Sequence, residues 1–372
     1  MYFPKCDKQG YFDSIPQKYV SSFRSLHLRS IMSRVWGCYF LLYLVLGTSV
    51  LLKADDSREL WTFERGGAGS FTSPAIGRDG TVYVGSQVNN KVYALDGDTG
   101  TVKWELDLDG WVWDSLSVSP DGTLYFIAGN KIYAYDALSG AKKWESDLNE
   151  GRQISIGDNG LIYVTSRGKL QALNSQTGSS QWEVSIHDDL PNQKPTIGLD
   201  NTIYIPNGEG SEMGLYALDG STGTIKWIFH LDENDWPDKE PILGKTGDVY
   251  FGTRKKFYIL DGNTGAKKVE AANSFDSLAV DNKGSIFANI IHPTGAGGKM
   301  HSINADTGSI QWVSDQTFNG SPAVATDGTV YSIRSGLAAI DGNTGIIKWE
   351  FPYEYHMSSP IIGYDGKVYV ST

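Results

Sequence analysis

From Pro74 to Ser371, short apolar runs alternate with glycine-rich turns, and the pattern returns about every forty residues. Pro74-Ala75-Ile76-Gly77-Arg78-Asp79-Gly80-Thr81-Val82-Tyr83-Val84 shows its first half: a small apolar run, a turn, then an apolar alternation centred on Tyr. The turn is Asp-Gly or a relative at Asp79-Gly80, Asp121-Gly122, Asn159-Gly160, Asp200-Asn201, Thr246-Gly247, Lys283-Gly284, Asp327-Gly328 and Asp365-Gly366. Such a pair between apolar runs predicts a hairpin, because both central residues tolerate positive φ. The second half is an eleven-residue phrase, clearest as Ala94-Leu95-Asp96-Gly97-Asp98-Thr99-Gly100-Thr101-Val102-Lys103-Trp104. It returns from Ala134 to Trp144, Ala172 to Trp182, Ala217 to Trp227, Ile259 to Val269, Ser302 to Trp312 and Ala339 to Trp349.

Each repeat therefore reads strand, tight turn, strand, short loop, strand, Asp-Gly-x-Thr-Gly turn, strand ending in Trp. Four antiparallel strands per repeat, in units that bury their faces only against neighbours, predict an all-β, eight-bladed β-propeller. The hairpin turns number eight, but the full phrase appears seven times. Glu59-Leu60-Trp61-Thr62-Phe63-Glu64 is the missing outer strand, and residues 360–371 supply two inner strands and then stop. Residues 60–64 are thus expected to complete the last blade and close the ring across the termini, which removes exposed sheet edges. No donor for that blade's third strand is evident: either the blade is three-stranded or the chain is cut at Thr372.

The phrase Ala-x-Asp-x-x-Thr-Gly-x-x-x-Trp resembles the tryptophan-docking motif of the pyrroloquinoline quinone (PQQ) repeat superfamily, over roughly residues 59–372. The resemblance implies an eight-bladed propeller in which Trp61, Trp104, Trp144, Trp182, Trp227, Trp312 and Trp349 pack between neighbouring blades. A large rigid aromatic can staple two sheets that share no hydrogen bonds. Val269 replaces the Trp once, so the contact that follows it is expected to be the weakest. The motif is structural and does not by itself imply that the quinone binds. The nearest functional analogue it suggests is the non-catalytic, BamB-like branch, whose propeller is a protein-docking scaffold.

Before the repeats, residues 35–52 are apolar or small and uncharged, with Arg34 on one side and Lys53-Ala54-Asp55-Asp56 on the other. Basic before and acidic after fits export with the N-terminus inside. Met32 is a possible true start of a signal peptide covering 32–54, with cleavage near Ala54; otherwise 1–31 is a basic tail and 35–52 an uncleaved membrane anchor. The product is then periplasmic, in the cell envelope or secreted, and residues 55–372 form one ring, expected to be monomeric. From Asp55 onward 25 Lys and Arg (32 less seven) face 41 Asp and Glu (43 less two), a balance of about −16. That argues against nucleic acid or an anionic membrane surface as partner. Cys6 and Cys38 both precede the ring, so it holds no disulfide, Cys-based zinc site or thiol nucleophile. The residues before Cys38, Val35-Trp36-Gly37, make a poor lipobox.

Loop length and composition vary on one face of such a ring and are stereotyped on the other, so function is sought on the variable face. That face carries Asp109 to Asp114, with Trp111 and Trp113; His187 to Leu190, with Asp188; Asp232 to Asp238, with Asp235 and Trp236; and Tyr353-Glu354-Tyr355-His356. The long loops 206–214 and 292–299 project there too. Trp111, Trp113, Asp114, Asp188, Asp235, Trp236, Tyr353 and Tyr355 are the candidate binding residues, since exposed aromatics beside carboxylates suit peptide, carbohydrate or organic ligands. The alternative for each Trp is ordinary packing over a blade end.

A quinone dehydrogenase needs calcium held by oxygen ligands and a carboxylate to take the substrate's proton. Asp114, Asp188 and Asp276 are available, but no spacing orders them into a ligand set, and the vicinal cysteine pair typical of the dehydrogenase branch is missing. His187, His230, His292, His301 and His356 show no metal-ligand spacing. The sequence thus reads as an exported, non-enzymatic scaffold for another protein, without cofactor or metal. A PQQ- and calcium-dependent dehydrogenase and a ligand- or carbohydrate-sensing ectodomain are the alternatives.

Overall fold

The structure, a computed structural model, describes residues 52–53, 59–64, 71–112, 116–148, 150–186, 194–208, 210–237, 240–271, 275–291, 298–353 and 357–371. Within them the fold is a β-propeller of antiparallel sheets taken in chain order. The first sheet is Ala75–Ile76, Val82–Ser86, Lys91–Leu95 and Val102–Asp107. The second is Ser117–Val118, Thr123–Ala128, Lys131–Asp136 and Lys142–Asp147. The third is Gly151–Ile156, Leu161–Ser166, Lys169–Asn174 and Ser180–Ser185. Thr196–Ile197, Thr202–Asn207, Gly214–Asp219 and Ile225–His230 make the fourth. Ile242–Leu243, Val249–Gly252, Phe257–Leu260 and Lys267–Ala271 make the fifth.

A seven-stranded sheet follows: Phe275–Val280, Ser285–Ile291, Gly298–Asn304, Ile310–Val324, Thr329–Ile333, Gly336–Asp341 and Ile347–Pro352. It contains two four-strand runs, here the sixth and seventh units, that share the fifteen-residue strand Ile310–Val324. The last sheet has three strands, Ile361–Ile362, Val368–Val370 and, from the other end of the chain, Leu52–Lys53.

Burial follows strand position. Val82–Ser86 is buried throughout because neighbouring sheets cover both of its faces, whereas Val102–Asp107 at the outer edge alternates half-buried and exposed. Eight apolar clusters among the described residues hold the sheets face to face. One joins Tyr83 and Ala94 of the first sheet to Leu124 and Phe126 of the second. Another joins Trp61, Phe63 and Tyr369 to Val82, Val84 and Tyr93, which brings the last sheet against the first. Tyr369 Oη donates to the carbonyl of Gly97 at 3.3 Å, and Ser371 Oγ to that of Thr72 at 3.3 Å, across the same seam.

Three sequence expectations are refined. All eight hairpin turns form, but only the second residue of each pair takes positive φ: Gly80, Gly122, Gly160, Asn201, Gly247, Gly284, Gly328 and Gly366. Where the first residue is Asp or Asn its side chain accepts from the amide two residues on, as where Asp79 Oδ1 accepts from Thr81 N at 3.1 Å. The Gly80 amide donates to Gly77 O and Gly77 N to Thr81 O, a three-residue loop in place of a two-residue one. Second, the outer strands run on past the Trp, to Asp107 in the first sheet. Third, closure differs in detail: residues 59–64 are not strand, although Trp61 docks as expected, and the partner of Val368–Val370 is Leu52–Lys53.

Candidate functional site

The two faces of the propeller are built differently. On the turn face, each Asp-Gly-x-Thr-Gly turn is knotted on its first side chain: Asp96 Oδ1 accepts from Asp98 N, Thr99 N and Thr99 Oγ1 at 3.1, 3.0 and 2.9 Å. These donors outweigh desolvation and hold the Asp96 carboxyl below its usual range. The bulged residue ahead of the Trp ties the turn to the hairpin, as Lys103 Nζ donates to Thr81 Oγ1 at 2.7 Å and lies 3.9 and 3.8 Å from Asp79 and Asp96. Lys143, Lys226 and Lys348 repeat the bond to Thr123, Thr202 and Thr329.

The tryptophans then join sheet to sheet. Each indole lies over the glycine of the next unit's turn: Trp61 on Gly100, Trp104 on Gly140, Trp144 on Gly178, Trp182 on Gly223, Trp227 on Gly265 and Trp312 on Gly345. Its Nε1 donates to a carbonyl of the same turn, at 3.0 Å from Trp61 to Gly97 and at 3.0 Å from Trp182 to Gly220. A Tyr from the same sheet as the Trp often shares that acceptor, as Tyr83 Oη does with Trp104 at Ala137 O. Val269 sits on Gly308 and brings no indole donor. Trp349 packs into the cluster of Val368, Val370 and Tyr331.

A second set of side-chain links crosses the seams. Ser155 Oγ donates to Pro195 O at 2.6 Å, Thr196 Oγ1 to Pro241 O, and Ser277 Oγ to Gly320 O at 2.8 Å, a carbonyl that also accepts Asn289 Nδ2 at 2.8 Å. Sequence reasoning missed this belt. Its one signal is a Ser or Thr shortly before some of the hairpins, as at Ser155, Thr196 and Ser277.

Beyond the belt, the candidates separate. Trp111 and Trp236 occupy matching rim positions: each carbonyl accepts from the next strand-end, Gly129 N at 3.1 Å and Arg254 N at 2.9 Å. The residue after each forms an isolated bridge, Val112 with Ala128 and Pro237 with Thr253. Their side chains are 56% and 37% exposed. Asp235 is only 2% exposed; its oxygens accept from Thr253 Oγ1 at 2.8 Å and Lys255 N at 3.2 Å, so it frames the loop rather than facing a ligand. Tyr353 is half-buried against the cluster of Ile333, Leu337, Val368 and Val370, and its amide donates to Ser335 O at 3.0 Å. Trp113, Asp114, Asp188 and Tyr355 lie outside the described residues.

Among the described residues no three His, Cys, Asp or Glu side chains come together to hold a metal ion. Asp114 and Asp188 lie outside the described residues, as does the Asp276 side chain.

Repeated sheets stapled by indoles define the class: a PQQ-repeat β-propeller. The chain belongs to the family described as "Outer membrane protein assembly factor BamB", matched over residues 47–193, 128–289 and 296–372. It is similar in fold to BamB from Moraxella catarrhalis, with a TM-score of 0.66 and 17% identity over 88% of this chain and 100% of that one. The quinohemoprotein alcohol dehydrogenase from Comamonas testosteroni is also similar, with a TM-score of 0.62 and 15% identity over 80% of this chain and 69% of that one. So is the computationally designed Ika8 protein, at 0.64 and 12% over 82% and 96%. At these identities the likeness is one of fold. No curated protein matches the chain by sequence.

Proposed function

We propose that this chain is an exported, non-enzymatic propeller of eight blades that docks another protein on its variable-loop face. The observation that carries the reading is the contrast between the faces. On the turn face the repeated Asp, Thr and Lys side chains are spent on one another, while Trp111 and Trp236 stand exposed at equivalent rim positions of the second and fifth sheets. Exposed Trp in a polar surround is the usual anchor of a protein interface. The family's name, an outer-membrane assembly factor, supports an envelope address and a protein partner. The acidic balance from Asp55 onward speaks against nucleic acid.

The dehydrogenase neighbours make catalysis the reading to eliminate, and a thermal melt with and without PQQ plus calcium does so. At a hundredfold excess over its dissociation constant, a bound cofactor adds about 2.7 kcal/mol of stability. The scaffold reading expects no shift; a shift needing both additives overturns it. The docking face is tested by Trp111→Ala with Trp236→Ala against Leu138→Ala with Tyr364→Ala, exposed apolar residues of the turn face. With melts unchanged, in-cell cross-linking to a partner is expected to be lost only in the Trp pair.

A further inference from the structure

The seam between the sixth and seventh units carries a polar layer that the other seams lack. Phe287 and Val330, on the second strands of those units, pack in one buried cluster. Side chains alternate along a strand, so Asn289 and Ser332, two residues further on, face the same seam. Their neighbours agree: Ile286 and Ala288 pack on the fifth-sheet side of the sixth unit, and Tyr331 and Ile333 pack between the seventh unit and the last sheet. In each of the other seams at least one residue of the corresponding pair is apolar or glycine, as in Ile127 with Val164, Thr165 with Ile205, and Ile333 with Val370.

Both polar residues are shut off from solvent, Asn289 at 1% exposure and Ser332 at 0%. Asn289 Nδ2 donates to Gly320 O at 2.8 Å, and Ser277 Oγ donates to the same carbonyl at 2.8 Å, which fills its two lone pairs. Asn289 Oδ1 is left over, and no group of the described residues bonds to it or to Ser332 Oγ. The chain around Gly320 adjoins both. In the strand Ile310–Val324, Asn319 pairs with Ile333 and Ala323 with Tyr331, so residues 320–322 bulge opposite Ser332 alone. Met300, which pairs with Asn289, and Phe318 are buried in the same cluster. A buried amide oxygen and a buried hydroxyl are costly to leave unbonded, and neither reaches bulk solvent here.

We infer that Asn289 and Ser332 form an internal binding site for an ordered water molecule, which donates to Asn289 Oδ1 and accepts from Ser332 Oγ. A buried water is satisfied by about two to four polar partners and needs no charge beside it. Two neutral groups without a carboxylate suit it better than a calcium-like cation, which takes about six to eight oxygens. The shared strand is hydrogen-bonded to both units, so this seam tolerates a polar layer where the others rely on apolar packing.

The full chain tests the site directly. In a crystal structure at high resolution, a density peak is expected about 2.7–3.2 Å from both Asn289 Oδ1 and Ser332 Oγ. No peak there, or a peak about 2.3–2.6 Å from several oxygens, the mark of a cation, overturns the inference. In solution, oxygen-17 relaxation dispersion of water counts long-lived internal waters. Asn289→Ile with Ser332→Val gives this seam the apolar pair that Ile127 and Val164 make between the second and third sheets, and is expected to remove one such water. An unchanged dispersion overturns the site. Ser332→Ala, which deletes the water's donor, is expected to lower the melting midpoint. Thr165→Val, which deletes an unbonded buried hydroxyl facing Ile205, is expected to leave it in place. A Ser332→Ala midpoint no lower than that of Thr165→Val also overturns the site.

Discussion

At the scale of single residues, stability concentrates where an indole meets a glycine. A Cβ on Gly223 would lie 2.7 Å from Trp182 Cε3, on a backbone with φ of +72°, whereas a Cβ on Gly160, at φ +77°, meets nothing within 4 Å. Both Gly→Ala changes therefore bear the left-handed penalty of about 1–2 kcal/mol. Gly223→Ala is expected to cost at least about 1 kcal/mol more, since the indole must also move. Equal losses by chemical denaturation would show that the docking contact is slack. Val269 is the converse case. Val269→Trp restores an aromatic contact and an indole donor, each about 0.5–1.5 kcal/mol, and is expected to raise the melting midpoint by a few degrees. A fall would mean that the seam has repacked around Val269. Docking was legible in the sequence because Trp and Gly keep fixed spacing. Asp235 was misplaced because an acidic residue in a loop reads alike whether it faces solvent or, as here, caps Thr253 and Lys255.

At the scale of elements, the two turn types share one electrostatic design. Asp200 is raised by partial burial, but its bonds to Thr202 and Lys226 more than offset this and bring its carboxyl down to about 2. Asp79, Asp96, Asp121, Asp136, Asp261, Asp327 and Asp341 are likewise held below their usual range. A carboxylate depressed in the folded state adds stability that is fully present above its unfolded value and is lost as pH falls through the folded one. The melting midpoint is therefore expected to hold down to about pH 5 and to drop towards pH 2, as many weak contributions fail together. Charge is not needed for the shape: Asn174 Oδ1 accepts from Gln176 N and Thr177 N at 3.0 Å each, as Asp96 does from its own turn. Asp200→Asn is thus expected to fold at neutral pH and to lose less stability on acidification than the unaltered chain. A steeper acid loss in that variant would refute the assignment. The turns were readable from the sequence, but their φ pattern was not, because a three-residue loop closed by Gly77 N on Thr81 O and Gly80 N on Gly77 O needs positive φ only at its last residue.

At the scale of the whole molecule, closure decides whether the sheets act as one unit. The last sheet brings only Ile361–Ile362 and Val368–Val370 of its own, too little to bury the first sheet's free face. What covers that face is the segment around Trp61 and Phe63. The Trp61 ring lies near Tyr369, and Phe63 lies 5.7 Å from Phe71 and 5.1 Å from Tyr93. Truncating one buried aromatic of this kind costs about 3–5 kcal/mol. Removing both takes a large share of the roughly 5–15 kcal/mol that a domain has in hand. Deleting residues 55–64 is therefore expected to lower the melting midpoint far more than Trp182→Ala, which empties one mid-ring dock and leaves closure intact. It should also expose Tyr369 and Tyr93 to solvent, seen as binding of an apolar dye before the main transition. A deletion protein that melts with the unaltered one, without early dye binding, would mean that the propeller is held shut without this segment, by contacts such as Tyr369 on Gly97 and Ser371 on Thr72.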